Sequence, residues 1–113
     1  MEMSVEDFPN KVKCIALEGA LDTEGASTIE IKMAAIAGHN DFIVIDMSKV
    51  AYLASLGISV LIRNAQAVKR RGGAFVICSP TAFVDDVLRK MVIQTIIPIF
   101  QTKEEAMSAV TTA

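Results

Sequence analysis

The sequence has little of what catalytic and metal-binding sites are made from. Its one histidine, His39, lies in a Gly-His-Asn-Asp turn, and no second histidine is present to share a metal or to complete a nucleophile and base pair. Neither Gly-x-x-x-x-Gly-Lys-Ser/Thr nor Gly-x-Gly-x-x-Gly occurs, so phosphate-loop and dinucleotide chemistry have no support. Asp85, Asp86, Glu104 and Glu105 fall at helix positions where acidic residues are routine, and form no evident acid and base pair. A protein that works without a cofactor or metal, by binding and not by turnover, is expected.

Positive charge is not in excess either. Eleven Lys and Arg against thirteen Asp and Glu give a net charge of −2, which leaves no polycationic footprint for nucleic acid. Cysteine is limited to Cys14 and Cys78, each inside an apolar strand-like run where a reduced thiol behaves as a small core residue. No apolar run approaches the ~20 residues of a membrane span. Met1 to Lys11 carries Glu2, Glu6, Asp7 and Pro9 where a signal peptide would be basic and then apolar. A cytoplasmic location without membrane insertion is the expectation.

What the chain does have is core-forming material: 52% of its 113 residues are hydrophobic, enough for one domain over 1–113 that needs no staples. Val5 to Phe8 and Val12 to Leu17 read as strands joined by a Pro9-Asn10 turn. In Glu24 to Ala37, Ala26, Ile29, Met33 and Ile36 recur at helical spacing, with Asp22 or Thr23 as cap and Gly38 as stop. Phe42 to Ile45, apolar without alternation, predicts a central strand covered on both faces. Leu56 to about Arg71 is a helix with Leu61, Ala65 and Val68 inside and Ser59, Arg63, Gln66 and Arg70 outside, stopped by Gly72-Gly73. Ala74 to Cys78 is a further strand. Ser79-Pro80 then opens a helix that places Phe83, Val84, Val87, Leu88 and Met91 on its apolar side. Ile96 to Phe100, with Pro98, predicts a short edge strand. Thr102-Lys103-Glu104-Glu105 is a capping box opening a last helix through Val110. The order ββαβαβαβα implies an α/β domain: a mixed, mostly parallel sheet with an antiparallel N-terminal strand and about four helices.

The chemistry-bearing stretch is Asp46 to Ser59, read as the carboxyl end of the central strand, a loop and the start of the second helix, where binding sites of α/β sheets gather. Ser55 is expected at the N-cap of that helix, so Ser55→Ala should cost one cap, on the order of 1 kcal/mol. A phosphate there would meet free first-turn amides and the positive end of the helix dipole. Ser59 follows at i, i+4 on the same face, as a second hydroxyl for a partner or simply a solvated serine. Arg63, Gln66 and Arg70 continue the face towards Lys69 and Arg71, either to meet an acidic patch or as ordinary compensation of the helix dipole.

Three segments carry a family likeness: Leu17-Glu18-Gly19-Ala20-Leu21-Asp22, Asp46-Met47-Ser48-Lys49-Val50 and Tyr52-Leu53-Ala54-Ser55-Leu56-Gly57-Ile58. Together they resemble the Gly-Glu-Leu-Asp, Asp-Leu-Ser and Asp-Ser-x-Gly-Leu segments of STAS domains of the anti-sigma factor antagonist type, over nearly the whole chain. The resemblance implies a partner switch. Ser55 is the phosphoacceptor, Asp22 and Asp46 form its rim, and Ser48, Ala54, Leu56, Gly57, Ser59 and Arg63 complete the partner-binding set. The implied partner is an anti-sigma factor that is also a serine kinase, captured when Ser55 is unmodified and released on phosphorylation, with a phosphatase to reset the state. Ala54 departs from the aspartate that phosphorylated members usually carry before the serine. That departure keeps open a second expectation, a constitutive adaptor or scaffold in a stress-signalling or membrane-transport complex.

Overall fold

A computed structural model describes residues 1–111. Among these residues five strands and four α-helices form one α/β layer structure: β1 (Glu2–Phe8), β2 (Val12–Leu21), α1 (Thr23–His39), β3 (Phe42–Leu53), α2 (Ser55–Arg70), β4 (Ala74–Cys78), α3 (Ala82–Lys90), β5 (Ile99–Phe100) and α4 (Lys103–Thr111). The sheet order is β1-β2-β3-β4-β5. β1 runs antiparallel to β2, and the remaining pairs are parallel. This is the expected architecture, with the Pro98 segment at the edge and Phe42 to Ile45 in the middle.

Two cores follow from the strand alternation. Ile43, Ile45 and Met47 of β3 face a cluster with Ile29 and Met33 of α1, Leu61 and Val68 of α2, and Val84 and Leu88 of α3. Val44 points the other way, into a smaller cluster with Cys14, Val76, Cys78 and the α4 residues Ala106 and Val110. Three helices therefore cover one face of the sheet and α4 covers the other. α2 buries Leu61, Ala65 and Val68 while Ser59, Arg63, Gln66 and Arg70 stay in water, as its spacing requires.

Several local expectations are corrected. The β1–β2 connection is a 3-10 turn over Pro9–Lys11, with Asn10 and Lys11 both at positive φ, so the hairpin needs a third residue beyond the Pro-Asn pair. Gly38 does not stop α1, which ends at His39 where the Asn40 side chain donates to the Ile36 carbonyl. Ser79 does not cap α3. It takes a left-handed φ of 55° as the chain leaves β4, and Thr81 is the cap, its hydroxyl accepting from the Val84 amide at 3.4 Å. Phe83 and Met91 are not buried with Val84 and Leu88 but are 54% and 52% exposed; Val84 and Leu88 are fully buried, and Val87 packs against the same core half-covered. The capping box at Thr102 is present, Thr102 and Glu105 each satisfying the other's amide at 3.1 Å.

The largest correction bears on function. Residues 46–53 are not a loop. β3 continues as strand to Leu53, pairing with Glu18 to Leu21 of β2 through two register shifts. Only Ala54 separates the strand from α2.

Candidate functional site

The site is built where β3 ends. Ala54 is extended and is itself the N-cap of α2; no side chain caps this helix. Ser55 is therefore the first helical residue and not the cap, which corrects the expectation from sequence. The helix starts here because the backbone is held from β2: the Ala54 N–H donates to the Leu21 carbonyl at 3.0 Å, and the Ile58 N–H closes the first turn onto the Ala54 carbonyl at 3.1 Å. Gly57 lets the turn sit tightly on Leu21, since a Cβ there would come within 2.6 Å of the Leu21 carbonyl oxygen. Ser55 is exposed, and its hydroxyl is not spent on capping.

Asp22 follows Leu21 directly and is brought to the same end of the sheet. It caps α1, its carboxylate accepting the Gly25 amide at 2.8 Å. Leu56, 37% exposed, lines a shallow surface groove of about 450 Å³ with Ser59, Ile62 and Arg63. Ser55 and Ser59 are both exposed one turn apart on α2. The Arg63 guanidinium pairs with Glu30 of α1 at 2.8 Å, a contact between exposed groups that is readily exchanged. The structure thus gathers Asp22, Ala54, Ser55, Leu56, Gly57, Ser59 and Arg63 around the start of α2 and the helix face that continues from it.

Asp46 and Ser48 lie apart from that group. Asp46 faces α4, where Lys103 approaches its carboxylate at 3.4 Å, and it accepts the Ser48 amide at 2.9 Å. The chain bulges at this point: Ala16 opposes Asp46 and Glu18 opposes Lys49, so Met47 and Ser48 together face Leu17. The Asp46 carboxylate holds this bulge. Burial pushes the pKa of Asp46 up, but the hydrogen bonds from Ser48 and the Lys103 charge outweigh it and hold the carboxyl below its ordinary value. Ser48 is exposed and shares a cleft of about 460 Å³ with Glu2, Ser4, Glu18 and Lys49. Seven residues of strand beyond Asp46 carry the chain from this cleft to Ser55.

Of the remaining titratable candidates, the two cysteines adjoin the Asp46–Lys103 pair from within the core. His39 ends α1 with Nδ1 against the Ala35 carbonyl at 2.9 Å. Cys14 and Cys78 are free and buried, and burial pushes the Cys78 thiol up to about 11. Among the described residues no group of three or more His, Cys, Asp and Glu could hold a metal ion, and no helix is long and apolar enough to cross a membrane.

One feature escapes a reading of the sequence. Tyr52, three residues before Ser55, stacks on Phe83 of α3 with ring centroids 6.1 Å apart and an interplanar angle of 21°. Both rings are half in water, 47% and 54% exposed. Helical spacing alone assigns Phe83 to the buried side, and no sequence signal marks it as exposed.

Comparison with known proteins agrees with this architecture. The pattern of the STAS domain matches residues 5–106. BtrV of Bordetella bronchiseptica strain RB50, named provisionally as an anti-sigma factor antagonist, is 26% identical over 98 residues, 86% of this chain and 84% of its own. Among solved structures, a protein from Thermotoga maritima, also described provisionally as an anti-sigma factor antagonist, superposes with a TM-score of 0.89 at 22% identity, covering 96% of this chain and 94% of its own. The anti-sigma factor antagonist SpoIIAA in its unphosphorylated form gives 0.80 at 18% identity over 99% and 98% of the two chains. Its phosphorylated form, from Bacillus, gives 0.74 at 18% identity over 96% and 99%. At these identities the superpositions speak for the fold, while the sequence pattern spans nearly the whole of it: the chain belongs to the STAS domain family.

Proposed function

We propose that this protein is an anti-sigma factor antagonist: a non-enzymatic, cytoplasmic binding domain that captures an anti-sigma factor through the surface around Ser55. Phosphorylation of Ser55 by that partner, acting as a serine kinase, releases it, and a phosphatase restores the binding state. The observation that carries the reading is the placement of Ser55 as an exposed residue at the first position of α2, with its hydroxyl uncommitted and the residue before it, Ala54, hydrogen-bonded to Leu21 and closing the first turn with Ile58. The backbone there is fixed before any partner arrives, so modification changes the surface and not the fold. A phosphate adds about −1.5 to −2 charges and three strong acceptors, enough to disrupt a docked apolar or acidic surface. The solution of SpoIIAA in phosphorylated and unphosphorylated forms and the name of BtrV support the same reading. Asp22, Leu56, Ser59 and Arg63 share the Ser55 surface, while Asp46 and Ser48 contribute through the bulge and its cleft.

The test is phosphopeptide mapping of the protein purified from its native cells under resting and stressed conditions. The expected result is a phosphate on Ser55 whose occupancy changes with condition. Ala54, which lacks the carboxylate usual beside a phosphorylated serine, favours a second reading as a constitutive adaptor; an unmodified Ser55 in every condition overturns the switch and leaves that adaptor.

A further inference from the structure

Ile31, Met91 and Val92 are exposed as well as Tyr52 and Phe83, but of these only Tyr52 and Phe83 are aromatic, and their rings stack on each other in water. Phe75 is fully buried, and the other three phenylalanines, Phe8, Phe42 and Phe100, are partly covered against the α4 side. Tyr52 is the sole tyrosine, and no tryptophan is present. Two half-exposed aromatic rings are thus concentrated at one point.

That point is tied to Ser55 by geometry. Three residues of chain span at most about 11 Å, so the α-carbon of Tyr52 lies within that distance of Ser55. A protein interface of standard size covers about 800 Å² on each partner, equivalent to a disc of roughly 16 Å radius. A footprint of that size centred on Ser55 is wide enough to include the α-carbon of Tyr52, whose half-exposed ring stacks on Phe83. Leu56, exposed immediately after Ser55, adds apolar surface next to the hydroxyl. Aromatic side chains are the residues most enriched among those that dominate binding energy, because they cover large area at little conformational cost.

We infer that the Tyr52–Phe83 pair is the apolar anchor for the protein partner that docks over Ser55, the partner supplying an apolar pocket that closes on the two rings. The inference rests on the reading of Ser55 as the partner-facing residue and adds what gives that residue its leverage. A dianion next to a dry aromatic contact carries a desolvation cost that it would not carry in a wet, polar interface. The pair is the source of affinity in the unmodified state and the reason that charge at Ser55 is costly.

The experiment begins with extracts of the native cells passed over the wild-type chain and over Ser55→Asp. The protein retained by the first, lost from the second and bearing a kinase-type ATP-binding domain is purified, and its Kd is measured for wild type, Tyr52→Ala, Phe83→Ala and Met91→Ala. Met91 is equally exposed but lies at the far end of α3 from Phe83, about 12 Å away at 1.5 Å per helical residue, and serves as the control. Tyr52→Ala and Phe83→Ala are expected to weaken binding about tenfold or more, Met91→Ala less than about twofold, and the Ser55→Asp penalty is expected to shrink in the Phe83→Ala background. A second measurement needs no variant: in a chain isotopically labelled on tyrosine alone, the single ring signal shifts when the purified partner is added. Binding by Tyr52→Ala and Phe83→Ala within about twofold of wild type, or an unmoved ring signal at saturation, overturns the inference while leaving the Ser55 reading intact. Retention that does not depend on Ser55 overturns that reading, and the inference with it.

Discussion

The carbonyl of Leu21 accepts the backbone N–H of Ala54 at 3.0 Å. That bond joins the last residue of β2 to the N-cap of α2, 33 positions later in the chain. Gly57 closes on the same residue, its hypothetical Cβ falling 2.6 Å from both the Leu21 oxygen and the Leu21 Cγ. The position of Ser55 is therefore dictated by a neighbouring strand and not by its own helix.

Gly57→Ala is the direct test of that clamp. The added methyl group meets backbone oxygen and a fully buried leucine side chain, so either α2 lifts or β2 shifts. Overpacking of this kind costs about 1–3 kcal/mol, which for a domain of this size lowers Tm by roughly 4–12 °C. Calorimetry of the variant should show that loss. A Tm unchanged from wild type would mean that the start of α2 is not held on Leu21.

Ser55→Ala and Asp22→Ala should separate cleanly in stability although both touch the candidate surface. Ser55 makes no cap hydrogen bond at the start of α2, so its loss should stay within about 0.5 kcal/mol. Asp22 holds the Gly25 amide at 2.8 Å, and its removal should cost about 1 kcal/mol. Urea denaturation of the two variants checks the ranking; a larger loss for Ser55→Ala would make it a structural residue.

How much of this was legible beforehand follows from what each signal measures. Helical and strand spacing report burial along one element, so β4, the buried side of α2 and the Thr102 capping box could be read directly. They do not report pairing to a distant strand. Asp46 to Leu53 looked like a loop because Ser48, Lys49 and Tyr52 interrupt the apolar pattern, whereas β2 supplies the backbone partners that keep it a strand through two register shifts. The same blindness placed Ser55 at the cap: serine suits that position, but the Leu21 contact had already given it to Ala54. Asp46 resembled part of a phosphate rim because it sits nine residues before Ser55 in a familiar order, and only the bulge shows that its carboxylate turns towards Ser48 and α4.

The two cysteines offer a check on the face covered by α4. Both are free and buried, and desolvation holds the Cys78 thiol at about 11 and raises Cys14 in the same direction. The thiolate is the reactive form, so iodoacetamide at pH 8 should leave both unmodified in the folded protein and label both in urea. Rapid labelling of either thiol under native conditions would show that α4 opens readily from the sheet.

Asp46 makes the acid limb of stability predictable. Its folded pKa lies below the ordinary carboxylate value, because the Ser48 hydrogen bonds and the Lys103 charge outweigh the burial that pushes it up. A depressed carboxylate contributes stability that is present above its unfolded pKa and is lost as pH falls through the folded value. Lys103 carries the opposite sign: burial lowers its pKa, the neighbouring Cys14 and Asp46 more than offset that, and the resulting upward shift gives a contribution complete below its unfolded value and lost only in strong alkali. The pair is therefore at full strength through neutral pH and fails first on the acid side. Asp46→Asn keeps the shape and an oxygen for the Ser48 amide but removes the charge that faces Lys103. Denaturant midpoints of wild type and variant should differ by a constant amount from about pH 5 to 9 and converge as the pH drops below about 4, where the unfolded carboxylate takes up its proton. A difference that persists undiminished at pH 2 would mean that the shape of the bulge, and not the charge on Asp46, is what ties α4 to β3.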